Sequence, residues 1–418
     1  MREMQDSGIE WVGNIPIHWK IHPVYYYFGE RKNKNRLGQE NNLLSLSYGK
    51  IVRKDINSSD GLLPESFNTY NIVEANDIII RPTDLQNDKR SLRTGLVHER
   101  GIITSAYICL RPIKKIDSRF FNYQLHAYDV IKVFYNMGNG VRQGLNFSEF
   151  SRLLVFEPPI SEQKKIADYL DFKCAEIDAL TSDIQAQIDT LEQYKRSVIT
   201  EAVTKGLNPD VEMKDSGIFY MAPMNTAWRL TKIGYICTKL SRSFTPKDPA
   251  LICSNQGKVL LRSDNVTGIM VSEDNAMQGI HGGDIAIHGM DTWHGAIALS
   301  KYDGKITRVV HVCDSTEDKR FIVYYLQHLA FQGVYKLISN GVRGNTSDFR
   351  SWDKVRNIYI AVPTSKGEQK AICDYLDIAC SHVDEIVAIK KDQLSTLEAY
   401  KKSLIYEYVT GKKEVPTA

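Results

Sequence analysis

Two stretches of this chain, 206 residues apart, carry nearly the same long helical pattern. Residues 162–204 and 368–410 share 21 of 43 positions without a gap. The roughly 150 residues that precede each stretch are far less alike. An internal repeat of this kind duplicates a structural unit, and the variation falls on what that unit carries. The pattern favours a protein that presents two different recognition surfaces over a protein built around a single catalytic cleft.

Shorter repeats extend the correspondence into both halves. They join residues 6–9 with 215–218, residues 76–80 with 283–287, and residues 140–142 with 341–343. We therefore predict four segments. Residues 1–160 and 206–363 would each hold a leader and a variable domain, and residues 161–205 and 364–413 would be two spacer helices.

The variable segments alternate short apolar runs with turn residues, a pattern typical of mixed α/β domains. Strands are predicted at residues 43–48, 77–81, 102–110 and 153–156, and at residues 259–261, 284–288, 296–299, 308–312 and 358–362. One amphipathic helix is predicted in each half, near residues 118–136 and 319–338.

Each long helix carries an apolar heptad repeat, which is typical of a coiled coil. The predicted seam is Ile177, Leu180, Ile184, Gln187, Leu191, Tyr194 and Val198 in the first helix, and Val383, Ile386, Lys390, Gln393, Leu397, Tyr400 and Leu404 in the second. Because polar residues in a seam fix register, we expect this role for the equivalent Gln187 and Gln393. We expect the two helices to pack on each other; the alternative is that each packs only on its own domain.

Charge is distributed unevenly along the chain, whose net charge is +3. Residues 20–160 have 20 Lys and Arg against 14 Asp and Glu, and residues 228–363 have 17 against 12. Residues 161–205 have 6 against 9. Positive charge on the variable segments fits contact with a polyanion, although a surface bias without function is the alternative.

No segment resembles a signal peptide or a membrane span. The seven cysteines form neither a Cys-x-x-Cys motif nor a paired framework. We therefore expect a cytoplasmic protein with reduced thiols.

The motifs of common catalytic sites are absent from the sequence. There is no phosphate-binding P-loop, no GxGxxG cofactor loop and no Asp/Asn-Pro-Pro-aromatic tetrapeptide typical of amino-methyltransferases. His281, His288 and His294 are poorly spaced for a zinc site, so we expect them at strand ends or on a surface facing nucleic acid. Asp84, Asp88 and Lys89 superficially resemble a nuclease set, but the second half has no counterpart.

Basic, polar loops are the candidates for contact with DNA. Arg, Asn and Gln side chains can bind base edges in the major groove, while Lys, Ser and Thr commonly hold phosphates. The predicted DNA-binding residues are Arg81, Lys89, Arg90, Arg93, Arg142, Gln143, Asn146, Arg262, His288, Arg343, Asn345 and Arg350. Solvated glycine-rich turns are the alternative for any one of these residues.

The duplicated Glu-Gln-Lys and Asp-Tyr-Leu-Asp helix pattern, preceded by the leader at residues 6–19, resembles the specificity subunit of type I restriction–modification systems. The resemblance covers essentially the whole chain. The second leader, residues 215–228, departs from the pattern because it lacks the second Trp and the Ile-Pro pair of the first.

The resemblance implies an α/β protein with a pseudo-two-fold repeat. Two target-recognition domains would be joined by two long helices forming an antiparallel coiled coil, and each domain would read one half of a split, asymmetric DNA site. It also implies a non-catalytic subunit without a cofactor of its own. Two methyltransferase subunits and the restriction subunits would supply S-adenosylmethionine, ATP and Mg²⁺ chemistry. A two-domain protein-interaction scaffold without DNA specificity is the alternative.

The order of the repeated segments is circular. The first leader precedes the first variable domain just as the second leader follows the first long helix. We therefore expect the two ends of the chain to lie close together.

Overall fold

The computed structural model describes residues 2–57, 64, 66–85, 92–137, 144–262, 274–339 and 348–416. The chain divides into two compact units. Unit 1 comprises Met1–Ile184 and Asp392–Ala418, and unit 2 comprises Gln185–Lys391. Each long helix therefore gives its N-terminal part to one unit and its C-terminal part to the other.

The first half of the chain runs from a leader hairpin to the first long helix. Its elements are β1 Met4–Asp6, β2 Asn14–Pro16, β3 Lys20–Pro23, β4 Phe28–Glu30, β5 Leu44–Ser47, β6 Lys50–Arg53, β7 Asn71–Val73, β8 Ile78–Ile80, β9 Thr94–Leu96, β10 Gly101–Ile103, β11 Ile108–Pro112, α1 Ser118–Val130, α2 Phe147–Phe150, β12 Leu154–Glu157 and α3 Ile160–Thr204.

The second half repeats this order of elements and adds the short helices α4 and α6. Its elements are β13 Met213–Lys214, β14 Met224–Asn225, β15 Arg229–Lys232, α4 Ile233–Ile236, β16 Cys237–Lys239, β17 Leu251–Ser254, β18 Lys258–Leu261, β19 Met277–Ile280, β20 Ile285–His288, β21 Ile297–Leu299, β22 Gly304–Thr307, β23 Val310–Ser315, α5 Lys319–Phe331, α6 Val334–Leu337, α7 Trp352–Arg356, β24 Tyr359–Val362 and α8 Lys366–Val409.

The strands of the two units pair in the same order. Unit 1 has an antiparallel sheet β4-β11-β8-β9, and unit 2 has the equivalent sheet β16-β23-β20-β21. The smaller pairs also correspond: β1-β2 with β13-β14, β3-β12 with β15-β24, β5-β6 with β17-β18, and β7-β10 with β19-β22. The prediction of mixed helix and strand content is confirmed, and the two variable domains share one fold despite their different sequences.

The echo between residues 76–80 and 283–287 marks the turn that begins the central strand of each sheet. Asn76 has φ 74° and Gly283 has φ 88°, a left-handed conformation that Gly and Asn adopt most readily. The next residue is an aspartate with only 2% of its surface exposed, Asp77 or Asp284. Each aspartate forms an ion pair with an arginine, Arg31 in unit 1 and Arg242 in unit 2.

Most predicted strands are confirmed to within about two residues, but residues 102–110 do not form one strand. They divide into β10 and β11 at a turn in which the Tyr107 N–H donates to the Thr104 carbonyl at 3.2 Å. Both predicted amphipathic helices are also shorter than expected. They end at Val130 and Phe331, because a left-handed residue, Lys132 or Gly333, follows and cannot continue an α-helix.

The long helices begin and end within a few residues of the predicted bounds, but half of the predicted seam is wrong. Ile177, Val383 and Leu404 are buried, as predicted. In contrast, the side chains at the second predicted seam position are exposed: Leu180, Gln187, Tyr194, Ile386, Gln393 and Tyr400. The residue that follows each of them is better covered, and Ile188 and Val387 are buried.

The error has a simple geometric cause. In an apolar heptad, the second seam position can lie either three or four residues after the first. Apolar residues occur at both of these positions in the long helices. Gln187 and Gln393 therefore do not occupy the seam. Gln187 is exposed instead, and its side-chain oxygen accepts a hydrogen bond from the Lys390 ammonium.

The two long helices contact each other inside each unit, and the contacts run in opposite chain directions. In unit 1, the Tyr169 and Tyr408 hydroxyls are 3.3 Å apart, and Asp178 pairs with Lys401. In unit 2, Asp384 pairs with Lys195 at 2.6 Å. The core of unit 1 includes Ile177 together with Leu404, so this packing belongs to its hydrophobic core.

The repeated residues of the long helices attach each variable domain to its helix. In unit 1, the Arg119 guanidinium binds Asp168 at 2.7 Å and Asp171 at 2.8 Å, and the Tyr123 hydroxyl donates to Asp171 at 2.7 Å. The equivalent residues of unit 2 are Arg320, Tyr324, Asp374 and Asp377. The repeated Asp-Tyr-Leu-Asp run is thus a structural docking site.

The repeated Glu-Gln pair completes the attachment. Gln163 accepts the Asp117 N–H at 2.9 Å and donates to the Pro158 carbonyl at 2.8 Å. Gln369 makes the same two contacts, with Asp318 and Pro363. The glutamate beside each glutamine accepts the indole N–H of a leader tryptophan, Trp19 on Glu162 and Trp228 on Glu368.

The two ends of the described chain lie close together in unit 1, which confirms the expectation from the circular repeat. Arg2 and Glu414 form an ion pair at 2.8 Å, and the Lys412 ammonium donates to the Val12 carbonyl at 2.9 Å. All seven cysteines are buried and unpaired. None of the helices in the described ranges combines the length and apolar character needed to cross a bilayer.

Candidate nucleic-acid interface

In each unit, a backbone hydrogen bond joins the end of the central strand to the segment that follows the Gly-Val-Arg repeat, which is residues 140–142 in the first half and 341–343 in the second. The Leu145 N–H donates to the Pro82 carbonyl at 3.0 Å in unit 1, and the Phe349 N–H donates to the Gly289 carbonyl at 2.9 Å in unit 2. The contact brings predicted DNA-binding residues together: Arg81 with Asn146, and His288 with Arg350. Equivalent edges of the two units therefore carry the candidate side chains.

Gly289 permits the close approach in unit 2. A Cβ atom at this position would lie 2.9 Å from the Arg350 Cα and from the carbonyl oxygens of Phe349 and Val309. Only glycine avoids these clashes. Arg350, which is exposed, is therefore held at the surface directly beside the end of β20.

Arg93 is not at the surface, and the prediction that it binds DNA is wrong. None of its side chain is exposed. Its guanidinium donates to the carbonyls of Thr83 at 2.5 Å and Asp84 at 2.9 Å, and its Nε donates to the Tyr135 hydroxyl at 3.2 Å. A cation removed from water must satisfy its donors inside the protein, and these oxygens do so.

Arg81, which begins the segment held by Arg93, is half-buried. Its N–H donates to the Arg93 carbonyl at 2.8 Å, which extends the pairing of β8 with β9 by one step. Arg81 thus remains a candidate for contact with DNA at the edge of unit 1, whereas Arg93 supports the same edge from inside.

Asn146 caps the short helix α2. Its Oδ1 accepts the Glu149 N–H at 3.0 Å and the Ser148 hydroxyl at 2.7 Å, while Glu149 accepts the Asn146 N–H at 3.1 Å. Bidentate recognition of adenine needs both the oxygen and the nitrogen of the amide. Because the oxygen is already engaged, the predicted bidentate base contact is corrected to a helix cap.

His288 is half-buried at the end of β20, and its ring has a structural partner. The Nδ1 atom accepts the N–H groups of Met290 at 3.3 Å and Asp291 at 3.1 Å. Burial lowers the pKa of His288, against the opposing effect of the Asp291 carboxylate. Burial thus disfavours a positive charge on this ring.

Of the other predicted DNA-binding residues, only Arg262 lies within the described ranges. Arg262 ends the β17-β18 hairpin, is half-buried, and donates its N–H to the Ala250 carbonyl at 2.9 Å. Six others lie outside the described residues and stay predictions: Lys89, Arg90, Arg142, Gln143, Arg343 and Asn345.

The three histidines and Asp84 lie within the described residues, whereas Asp88 and Lys89 do not. Across the described ranges, no group of three or more His, Cys, Asp or Glu side chains could hold a metal ion. His281 is exposed and lies 3.4 Å from Asp303. Asp84 uses its backbone carbonyl to bind Arg93, and its partners in the nuclease-like set, Asp88 and Lys89, fall outside the described residues.

Comparison with known proteins finds that this chain is similar to two curated proteins from Methanocaldococcus jannaschii. The putative type I restriction enzyme MjaX specificity subunit is 22% identical over 436 residues, which cover 97% of this chain and 96% of that protein. The type I restriction enzyme MjaVIII specificity subunit is 23% identical over 377 residues, covering 82% and 80%. This chain is similar to type I specificity subunits along nearly its whole length. No family model matches it.

A solved structure shows that the fold is shared as well. The match has a TM-score of 0.65 at 12% identity and covers 96% of this chain and 99% of the other. That structure concerns complex assembly and conformational transition of the type I R-M system. At this level of identity the likeness shows a shared fold alone and does not assign residues.

Each unit contains a cleft that sequence reasoning missed. In unit 1, a cleft of about 670 Å³ lies between the β5-β6 hairpin, α1 and the long helices. In unit 2, the equivalent cleft of about 410 Å³ involves the β17-β18 hairpin and α5. One carboxylate at each cleft bridges a hairpin lysine and a helix lysine: Asp178 with Lys50 and Lys401, and Asp384 with Lys258 and Lys195.

These bridges keep the carboxylates ionised. Burial alone would raise the pKa of Asp178, but its hydrogen bonds with Lys401 and Lys50 outweigh burial and lower the pKa. The pKa of Asp384 is lowered in the same way by Lys195 and Lys258, against the effect of burial. The sequence contained a signal for both sites, because the aspartates and the helix lysines occupy identical positions of the repeat.

Proposed function

We propose that this chain is the DNA-binding specificity subunit of a type I restriction–modification complex and recognises a bipartite, asymmetric DNA site. One observation carries the proposal. Two units with the same strand order present different residues at the equivalent edge, Arg81 in unit 1 and His288 with Arg350 in unit 2. A repeated scaffold with unlike edges suits two unlike half-sites.

The proposed contacts follow the chemistry of each side chain. Arg142, Gln143, Arg343 and Asn345 would bind base edges, and Lys89 and Arg90 would hold phosphates. Arg81 and Arg350 are further candidates, because they lie at the strand edges next to the Gly-Val-Arg repeats. The positive charge of both variable segments supports this assignment.

The two long helices would form an antiparallel coiled coil that sets the distance between the half-sites. This idea is supported by opposite chain directions in the helix contacts of each unit, at Asp178–Lys401 and Asp384–Lys195. The docking arginines, Arg119 and Arg320, would make each domain rigid on its own part of the coil. Half-site spacing then follows from protein geometry, as in other DNA-binding proteins with repeated units.

The exposed apolar side chains on the long helices would receive the methyltransferase subunits. In unit 1, Phe172, Leu180 and Tyr400 are 59%, 52% and 52% exposed. Their repeat equivalents in unit 2 are Ile378, Ile386 and Tyr194, at 61%, 43% and 56%. Clusters of exposed large apolar side chains are typical of interaction surfaces. Because the set occurs twice, we expect two methyltransferase subunits, together with the restriction subunits of the complex.

Catalysis would reside in these partners. We propose that the chain holds no cofactor and that S-adenosylmethionine, ATP and Mg²⁺ bind to the methyltransferase and restriction subunits. The repeated carboxylates in the described residues serve as structural contacts: Asp168, Asp171, Asp374 and Asp377 bind docking arginines. Methylation of DNA by the isolated chain with S-adenosylmethionine would contradict this assignment.

Selection from a randomised double-stranded DNA library tests the proposed function. The full chain is expected to enrich two different half-motifs at a fixed separation. Its affinity for an enriched duplex should fall steeply between about 50 and 200 mM salt, because phosphate contacts release counterions. A chain that enriches no motif and whose weak binding is insensitive to salt would instead be a protein-interaction scaffold.

A further inference from the structure

The segment of residues 81–85 in unit 1 is held from inside by one arginine. The Arg93 guanidinium donates to the carbonyls of Arg81 at 3.4 Å, Thr83 at 2.5 Å and Asp84 at 2.9 Å. A guanidinium has five N–H donors in a fixed plane, so one side chain can define the path of several residues. The segment continues from the central strand β8 and includes Pro82, which binds the segment after the Gly-Val-Arg repeat.

Asp84 shows that this path needs support. Its φ is 62°, in the left-handed region that is less favourable for any residue with a side chain than for glycine, although Asp and Asn tolerate it better than most. Such a conformation persists only where the surrounding structure determines it. The hydrogen bond from Arg93 to the Asp84 carbonyl is a contact that does so.

Arg93 is itself anchored to the helical layer of the domain. Its N–H donates to the Asp129 carboxylate, and both residues are fully buried. Its Nε donates to the Tyr135 hydroxyl, and its guanidinium carbon lies 5.2 Å from the centre of the Tyr135 ring. The position of residues 81–85 is therefore tied to α1 and to the turn that follows it.

Unit 2 has no counterpart of this arginine. Arg93 immediately precedes β9, and the equivalent residue before β21 is Ala296, which is buried. The end of the central strand of unit 2 uses histidines instead. His288 accepts two backbone N–H groups, and the His311 Nε2 lies 2.7 Å from the Phe349 carbonyl.

We propose that Arg93 is a positioning residue for one DNA half-site. It does not contact DNA. It sets where residues 81–85 lie, and through the Pro82–Leu145 hydrogen bond it also sets where the segment beginning at Leu145 lies. The inference rests on the proposed function, and it is confined to the half-site read by unit 1 because unit 2 has Ala296 at this position.

The test compares three variants of the full chain by selection from a randomised double-stranded DNA library. Arg93→Lys keeps the charge but replaces the planar fork with a compact ammonium that cannot reach all the carbonyls. Tyr135→Phe removes one acceptor of the guanidinium, together with the hydrogen bond from Lys132 to the same hydroxyl. Arg31→Lys is the control, because the Arg31 side chain of unit 1 is also largely buried, but it pairs with Asp77 at the opposite end of β8. Thermal unfolding of each variant is measured in parallel.

Arg93→Lys is expected to weaken selection at one or more positions of a single half-motif by about tenfold, the scale of one lost base contact. The other half-motif and the spacing should not change, and Arg31→Lys should leave both half-motifs intact. If Arg93→Lys does not fold, Tyr135→Phe decides by the same comparison, with a smaller effect in the same half-motif.

Two intact half-motifs in a folded Arg93→Lys variant would overturn the inference, and so would equal weakening of both half-motifs or an equal effect of Arg31→Lys. These outcomes differ from failure of the proposed function, which would appear as a wild-type chain that selects no motif.

Discussion

Units 1 and 2 use equivalent contacts to bind the long helices, but they use different residues at the end of the central strand. In both units, an arginine and a tyrosine of one helix, α1 or α5, bind the repeated Asp-Tyr-Leu-Asp run. At the end of the central strand, unit 1 uses the buried donor Arg93, whereas unit 2 uses the acceptor His288. Burial lowers the pKa of His288 and also that of the neighbouring His311.

The difference shows which parts of a duplicated fold are free to change. A residue that binds a repeated helix must match identical partners in both units. A residue that supports a loop needs to match only its own domain, so a donor in one unit can be an acceptor in the other. The loop ends are thus the part of each unit where a new surface can arise without disturbing the attachment to the helices.

The largest expected effect concerns a chain that contains one copy of the repeat. In the full chain, residues 398–409 of α8 help to cover Ile177, through Leu404 and its neighbours. A fragment of residues 1–206 lacks them, but its own residues 192–203 are their repeat equivalents. We expect this fragment to form a homodimer, since exposing each large apolar side chain costs about 1.5–3 kcal/mol. Such a dimer should select a palindromic site made from one half-motif.

Light scattering at micromolar concentration measures the outcome, with the full chain as the reference. A folded, soluble fragment that stays monomeric would show that the two copies of the helix do not need each other, and the equivalence of the units would then be superficial.

A change in helix length should alter the distance between the half-sites without altering their sequences. We propose inserting one heptad at residues 184–191 and another at residues 390–397, so that both seams stay in register. Seven residues add about 10 Å, close to three base-pair steps. Library selection should then return both half-motifs with a longer spacer. An unchanged spacer in an active variant would refute the spacer role of the helices.

Removal of a docking arginine should destabilise the two units equally. Arg119→Ala and Arg320→Ala each remove contacts with three carboxylates, but both side chains are about one third exposed. We expect each variant to lose roughly 1–2 kcal/mol in free energy of unfolding. Lys173→Ala, which removes one surface pair with Glu176, should change it by less than about 0.5 kcal/mol. A loss in only one of the arginine variants would show that the two attachments are not equivalent.

The smallest effect involves the lysine-bridged carboxylates. Asp178→Asn and Asp384→Asn should each cost less than about 1 kcal/mol at neutral pH, because the groups are partly exposed. The lysines hold the pKa of both carboxyls below the ordinary value, against burial. Their contribution is therefore present above the ordinary carboxyl pKa of about 3.9 and is lost as the pH falls through the lower folded value.

Urea unfolding as a function of pH measures this effect. The difference between wild type and either variant should shrink below roughly pH 4. Asp183→Asn, on the exposed side of α3, serves as the control for the substitution itself. A difference that grows as the pH falls would contradict the assigned direction.

The repeat and its apolar heptads let the sequence predict the long helices, and the alternation of apolar runs with turn residues predicted most strands. The second seam position was wrong because apolar residues stand at both possible positions, and only the packing of Ile188 and Val387 shows which is covered. The burial of Arg93 could not be predicted, since its partners are mainly backbone carbonyls, which leave no trace in residue identity. The cap at Asn146 was predictable, because Glu149 stands three residues later and completes a capping-box pattern.

The central claim is that each unit reads its own half-site on a shared scaffold. The most direct test replaces residues 228–363 with the corresponding segment of a specificity subunit that recognises a different site, and repeats the library selection with the full-length chimera. The account predicts that one half-motif changes to that of the donor, while the other half-motif and the spacer length stay the same. A change in both half-motifs, or in neither, would contradict it.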